Sequence, residues 1–334
     1  MITIDGSYLE GGGQIIRTSV ALSALTGKPV TIENIRANRT PPGLKPQHLT
    51  GVTSVGKLCN AEIKGAELGS SKLVFKPRQI KSNHMEIDVG TAGSVTLVLQ
   101  ALLPAAIHSK KEFSFNIIGG THVRWSPTYE YFEKCFCWYL EKMGAKIKSE
   151  IIRYGFYPKG GGRVKIRVQP AKLKPLKILE CGKFERTEVY SLASKTLEKR
   201  KVADRQLKEF LKNYSNAVEK TESIYINSNS PGSAVYAQEV YENSRIGAVA
   251  VGERRKTSEQ VGKECAERLL KEKEGESTVD SHMADQLIPY LAFYGGEFKV
   301  DSLTNHTKTN MWVCEQFLPI KFEYKNNVIK CKKQ

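Results

Sequence analysis

No apolar run in this sequence approaches the roughly 20 residues that a membrane-spanning helix needs, so no helical span and no membrane partner are expected. The first residues, Met1-Ile2-Thr3-Ile4-Asp5-Gly6, carry neither the basic nor the apolar stretch of a secretory signal, and a cytoplasmic location is expected. Cysteine is sparse and unpatterned. The seven residues Cys59, Cys135, Cys137, Cys181, Cys265, Cys314 and Cys331 form no CxxC pair and no Cys/His cluster at zinc spacing. Reduced thiols packed as small apolar groups are the expectation. Only Cys135 and Cys137 are close, and one intervening residue on a helix turns their side chains apart. Gly and Pro, at 27 and 13, stand near average usage, which excludes a collagen-like or low-complexity chain.

What is present is a globular composition: 334 residues, 40% hydrophobic and 26% charged. That length suits two domains or one elaborated one. The charge is lopsided. Lys and Arg number 51 against 35 Asp and Glu, a net +16. Such a surplus suits a polyanionic partner, nucleic acid or nucleotide among them, although solubility alone is served equally well.

A unit recurs along the chain. A Gly-bearing turn opens a helix over Gly11–Leu25, Gly27 stops it, and Val30–Ile35 follows as a strand. Thr91–Ser94 opens a second helix to about Ile107, followed by Phe113–Ile117. Ser281–Asp285 opens a third, stopped at Gly295-Gly296 and followed by Phe298–Asp301. Alternation of period two after a glycine-capped helix is the αβ signature. Second helices are expected at Gln47–Cys59, Pro127–Met143 and Thr309–Phe317, with strands such as Ala61–Lys64, Lys146–Lys148 and Lys321–Tyr324 after them. The predicted class is α/β (α+β): three β-α-β-α-β-β units, about 1–80, 81–170 and 278–334, with helices on one face of each sheet. The body then comprises 1–182 and 278–334. Residues 183–277 read as a small inserted α/β domain, with a charged helix Ser191–Tyr214, a strand Ser223–Asn227, a hairpin (Ala234–Glu239, Gly247–Gly252) and a helix Ser258–Lys273. Acidic and basic residues nearly cancel in the insert, so polyanion contact is expected on the body.

Four motifs carry chemistry. In Glu10-Gly11-Gly12-Gly13-Gln14-Ile15-Ile16-Arg17, glycines at a helix N-terminus let backbone N–H groups approach an anion, and the Glu10 carboxylate could hold a divalent cation. A tight strand-to-helix turn would need the same glycines. The loop from Ile35 to His48 presents Arg36, Arg39, Lys45, Gln47 and His48 on a proline-stiffened path, and guanidinium suits bidentate phosphate contact. A solvated basic loop is the alternative. The stretch Gly155–Arg163, with three consecutive glycines, joins two strands and reads best as a wide hairpin or bulge. Near the C-terminus, His282–Gln286 precedes Asn305-His306-Thr307-Lys308-Thr309-Asn310, where His306 is expected in a polar turn between strand and helix. A neutral imidazole there is a competent nucleophile toward phosphorus, although an isolated histidine is more often a surface or core residue.

Together these motifs resemble the RNA 3′-terminal phosphate cyclase family nearly end to end. The strongest pieces are Asp5 to Arg17, Pro42 to Leu49, Gly155 to Gly162, Ala284-Asp285-Gln286 and His306. The resemblance implies an ATP-dependent conversion of an RNA 3′-phosphate to a 2′,3′-cyclic phosphodiester. His306 would attack the α-phosphorus of ATP to form a histidyl-AMP, AMP would pass to the RNA 3′-phosphate, and the neighbouring 2′-OH would close the ring and expel AMP. It further implies that Glu10 holds Mg2+ or Mn2+, and that Arg17, Arg36, Arg39, Gln47 and His48 line the phosphate and RNA-end pocket. Gln100, Pro127 and His282, Met283, Ala284, Asp285 and Gln286 would frame the adenine and ribose. The sequence departs from the family at His122, usually Asp or Asn, and at Tyr154, usually basic. Two rivals share the architecture: a non-catalytic ribosome-assembly relative lacking the nucleophilic histidine, and an enolpyruvyl transferase built from similar units.

Overall fold

The computed structural model describes residues 1–81 and 83–333. Strand β1 (Ile2–Asp5), helix α1 (Gly13–Thr26), strand β2 (Val30–Glu33), helix α2 (Pro46–Cys59) and strands β3 (Glu62–Lys64) and β4 (Leu73–Lys76) come first. They form a sheet ordered β1-β2-β4-β3, with β1 and β2 parallel and the remaining pairs antiparallel. Next come β5 (His84–Asp88), α3 (Val95–His108), β6 (Phe113–Gly119) and a helical segment. That segment consists of α4 (Tyr129–Tyr131), a π-helical stretch over Phe132–Cys137, and α5 (Trp138–Lys142). With β7 (Lys146–Arg153) and β8 (Gly162–Gln169) they give a sheet ordered β5-β6-β8-β7, parallel at its first pair only.

Strand β9 (Leu176–Ile178) leads into the inserted elements: β10 (Phe184–Ser194), α6 (Val202–Asn213), β11 (Lys220–Ile226), β12 (Ser233–Tyr241), β13 (Arg245–Val251) and α7 (Ser258–Glu272). These make a sheet ordered β11-β10-β12-β13 with a core cluster of its own around Phe210, Val235 and Leu269. The chain then resumes with α8 (Ser281–Tyr294), β14 (Gly296–Lys299), α9 (Asn305–Phe317), β15 (Ile320–Lys325) and β16 (Val328–Lys333). In this last sheet β14 pairs in parallel with β9, so the sheet's first strand lies on the far side of the insertion, outside the span 278–334. The α+β class expected from the sequence holds.

Two local expectations differ. The stretch read as one helix from Ser191 to Tyr214 begins as the end of strand β10, passes through a 3-10 turn at Lys195–Arg200 and becomes helical only at Val202. Residues 187–194 of β10 are buried without a break, so the period-two alternation that marks a half-exposed strand is absent. Helix α9 starts at Asn305, not Thr309, because the Thr304 side chain accepts the Thr307 N–H and caps it there. His306 therefore rides on the first helical turn.

The body's helices pack on one another: α1 against α2, α3 and α9, and α8 against α9 and α3. One core cluster runs from Ile4 to Ile329 through all three sheets. Helix α3 is buried at every position from Val95 to Ile107 except Gln100. A polar residue held open on an otherwise buried helix marks where a cleft reaches the core.

Candidate active site

The glycine triplet sets the site. Helix α1 begins at Gly13, and a β-carbon there would stand 2.1 Å from His48 Nε2. Only glycine lets the α1 N-terminus and the α2 N-terminus approach this closely. The first turn of α1 then points Gln14 at the first turn of α9. The Gln14 amide nitrogen donates to Asp285 Oδ2 at 3.1 Å and to the His306 carbonyl at 3.0 Å. Both partners are acceptors, so the amide orientation is fixed. Its oxygen, Oε1, lies 2.5 Å from His306 Nδ1 and must accept that proton. A neutral His306 thus carries its lone pair on Nε2. That nitrogen stands 3.1 Å from Glu10 Oε2, which also receives Arg39 at 3.2 Å.

A second strand of contacts runs behind. Asn310 Nδ2 donates to the Asp285 carbonyl at 2.7 Å, and Thr18 Oγ1 donates to Asn310 Oδ1 at 2.7 Å. Gln14, Arg17, Gln100, Asp285, Gln286 and Asn310 line a narrow cleft. The buried Tyr290 hydroxyl, also on this cleft, has no hydrogen-bond partner among the described residues. A larger cavity lies elsewhere, between body and insertion around Cys181, Lys273 and Lys299, and none of the candidate residues faces it.

Burial and charge tune these groups together. Burial lowers Arg17 to about 10 against the pull of Asp285, and raises Asp285 to about 7 although His282 and Arg17 oppose it. His48 falls to about 3 through burial first and then the charges of Arg17, Arg36 and Lys45. It stays neutral, with Nδ1 accepting the Lys45 N–H. His306 is lowered by burial, and by Arg17, His282 and Arg39, with only Glu10 holding it up. A lowered imidazole keeps its lone pair at neutral pH.

The nominated residues do not all point into the cleft. Arg36 uses Nη1 on the carbonyls of Pro41 and Gly43, bracing its own loop. Gln47 Oε1 accepts the Ser94 N–H at 2.9 Å, tying α2 to the start of α3. Gln100 donates to Gln286 at 2.7 Å, and the Pro127 carbonyl accepts from Thr96 on the same helix. His282 is exposed, whereas Met283 and Ala284 are buried in the core, so their side chains serve packing. Among the described residues no group of three or more His, Cys, Asp or Glu is placed to hold a metal ion, which leaves Glu10 as a single carboxylate.

Gln14 and Asn310 were not singled out from sequence. Their signal was positional: Gln14 directly follows the glycines, and Asn310 lies one helical turn beyond His306 on the same face. The two departures from the family pattern touch one another. The His122 ring is buried 5.4 Å from that of Tyr154, with Nε2 at 2.5 Å from Glu130 and Nδ1 at 2.8 Å from Thr121.

Against known proteins, the family model described as RNA 3′-terminal phosphate cyclase matches residues 8–324. Three relatives carry that same name. One from Thermococcus onnurineus is 47% identical over 98% of this chain and 96% of its own length. Another from Pyrococcus abyssi is 46% identical over the same shares. The third, from Methanopyrus kandleri, is 42% identical over 97% of this chain and 95% of its own.

Proposed function

Because the chain belongs to the RNA 3′-terminal phosphate cyclase family, we propose that it converts an RNA 3′-phosphate to a 2′,3′-cyclic phosphodiester through a covalent histidyl-AMP. It is an enzyme of that family, and its reaction uses ATP. The observation that carries the histidyl step is the Gln14–His306 contact, which holds the proton on Nδ1 and leaves Nε2 as the nucleophile.

The Nε2 lone pair of His306 forms a bond to the α-phosphorus of ATP as the bond to pyrophosphate breaks. An oxygen of the RNA 3′-phosphate takes AMP from His306, forming an anhydride. The vicinal 2′-oxygen then bonds to the RNA phosphorus as the anhydride bond to AMP breaks, and the hydroxyl proton passes to solvent. A phosphate monoester is a poor electrophile, and adenylylation supplies the leaving group; the last step gains from being intramolecular. Arg17 and Arg39, with Arg36 and Gln47 bracing their loops, set a positive, partly desolvated wall for the phosphates. His48 remains neutral beside them. Gln100 and Gln286, with Pro127, Asp285 and His282, frame the nucleoside side. The unpartnered Tyr290 hydroxyl is a polar group that a bound nucleotide can satisfy.

Beside that wall, the Glu10 carboxylate suits a divalent cation. With Nδ1–H committed to Gln14, the Nε2 lone pair faces the Glu10 carboxylate, and two electron-rich atoms at 3.1 Å repel unless a proton or cation stands with them. Glu10 would hold Mg2+ or Mn2+, which takes one carboxylate alongside phosphate oxygens and water and neutralises triphosphate charge. We assign the chemistry to the body, 1–182 and 278–334, with 183–277 an inserted domain, and the reaction to the cytoplasm. No described helix is long and apolar enough to cross a membrane.

The test is intact-protein mass after incubation with ATP and magnesium. An AMP-sized adduct is expected on the wild type and not on His306→Ala. No adduct on a folded, ATP-binding wild type would favour the non-catalytic relative, and an adduct retained on His306→Ala would move the nucleophile elsewhere.

A further inference from the structure

Trp125 is 87% exposed, at the tip of the loop that joins β6 to α4. It also holds a positive φ of 58°, a conformation that costs a bulky residue energy and that persists only when its surroundings impose it. The loop is fixed on both sides of the tip. Thr121 N–H donates to the Gly155 carbonyl, Ser126 Oγ donates to the Val123 carbonyl, and the Pro127 carbonyl accepts from Thr96 at 2.8 Å. The indole itself is braced on one face: the Arg124 guanidinium lies 4.4 Å from its ring centroid. Arg124 is in turn held at 2.8 Å by Glu253, from the inserted segment between β13 and α7. Next in sequence to Glu253 stand Arg254 and Arg255, both exposed, and among the described residues no carboxylate pairs with either.

An indole pushed into solvent and stiffened from behind, with two exposed arginines next in sequence to the carboxylate that holds its brace, has the parts of a single-strand nucleic-acid platform: an aromatic face for a base and cations for phosphates of the same strand. The tip is linked to the cleft through helix α3. Pro127, two residues on, bonds to Thr96 on the first turns of α3, one helical turn before Gln100, which reaches Gln286 at 2.7 Å. We infer that Trp125 stacks on a base of the RNA a short way upstream of its 3′ end, and that Arg254 and Arg255 hold phosphates of the same strand. The inference rests on the reading of the RNA 3′ end as substrate and gives the inserted domain a part in gripping the strand. A nucleotide's adenine is a poorer occupant, because small-ligand sites bury most of their ligand and this ring is open.

The experiment measures anisotropy of a 5′-fluorescein, 3′-phosphorylated oligoribonucleotide of about ten nucleotides, long enough to span one single-strand binding site. The proteins compared are wild type, Trp125→Ala, Trp125→Phe and Arg254→Ala/Arg255→Ala. Trp125→Ala should weaken binding about tenfold and Trp125→Phe much less, as expected for base–aromatic stacking. The double arginine variant should make the slope of log affinity against log salt shallower by about 1.4, the value for two single-strand phosphates. Unchanged affinity in Trp125→Ala overturns the platform. So does a rise in the KM for ATP in that variant in place of a loss of RNA affinity, which would assign the ring to adenine. Cyclisation by the wild type is followed in parallel. A wild type that cyclises while Trp125→Ala binds RNA normally rejects the platform alone. A wild type that forms neither adduct nor cyclic end rejects the cyclase reading, and a tenfold loss of RNA affinity in Trp125→Ala would still support the platform.

Discussion

Replacing Gln14 by alanine tests the geometry more sharply than removing the nucleophile does. The substitution deletes the acceptor 2.5 Å from His306 Nδ1 and both donations, to Asp285 and to the His306 carbonyl, in one step. Gln14 is only 5% exposed, so water replaces it poorly. A hydrogen bond to a charged partner contributes about 1.5–3 kcal/mol net. If that is the loss felt when charge develops on the imidazole, adenylylation slows roughly 10- to 150-fold. Folding stability falls separately, by about 1–3 kcal/mol for the partner left without its bond. Single-turnover adduct formation at saturating ATP reads the first effect, and urea denaturation reads the second. Gln14→Glu is the companion variant. It keeps an acceptor for Nδ1, loses the two donations and sets a carboxylate against Asp285, so it should retain more of the adduct rate than alanine while losing comparable stability. An alanine variant with unchanged stability that forms adduct within about twofold of wild type would refute the argument, since that spread is below the energy of even a weak hydrogen bond.

Gly13→Ala should be destabilising by about 1–3 kcal/mol, as for overpacking in a core, because the new carbon meets His48 at 2.1 Å; His48→Ala in the same chain should recover part of the loss, read by denaturation midpoints. His48, lowered to about 3, leaves the unfolded chain the better proton binder below its ordinary 6.5, so its contribution is present above that value and is lost as pH falls toward 3. His48→Gln should flatten that acid limb, and an unchanged slope would refute the shift. Asp285 has the opposite sign: raised to about 7, its contribution is present below its ordinary 3.8 and is lost as pH rises through 7, a decline that Asp285→Asn should remove. The His306 ring should titrate below 6.5 by NMR and lower still in Glu10→Gln, since Glu10 is the group that favours the charged ring; an upward move in that variant would contradict the assignment.

How far the sequence was legible depended on the kind of signal each element leaves. Helix α1 could be bounded because Gly27 stops it in a left-handed conformation, so that it ends at Thr26, one residue beyond the expected Leu25. Strand β9 left no mark. It is three residues long, its partner β14 lies more than a hundred residues later, and nothing local shows the pairing. Charged, nucleophilic and glycine-bearing positions drew notice because their chemistry is visible singly, as at Glu10, Arg17, Arg39, His48, Asp285 and His306. Gln14 and Asn310 carry neither charge nor nucleophilicity. Their importance is relational, since each matters only for what it bonds to, and those partners sit about 290 and 25 residues away.

That relational layer explains why the site needs helices from opposite ends of the chain. A nucleophilic imidazole must keep its lone pair, present one chosen nitrogen and tolerate a cationic wall around an incoming polyanion. Burial and neighbouring cations secure the first by lowering His306. The Gln14 amide secures the second, because its nitrogen is committed to Asp285 and the His306 carbonyl and its oxygen is left to take the Nδ1 proton. The third requires cations that do not silence one another. Asp285, poised near neutrality, offsets Arg17, while His48 is kept uncharged by the same cations it stands among. No single segment can supply all three: α1 brings the amide and Arg17, the loop before α2 brings Arg39, α8 brings Asp285 and α9 brings the nucleophile. Close packing of α1, α8 and α9 in the body is therefore the condition for the chemistry, and Gly13 and Gln100 mark where that packing was opened for a ligand.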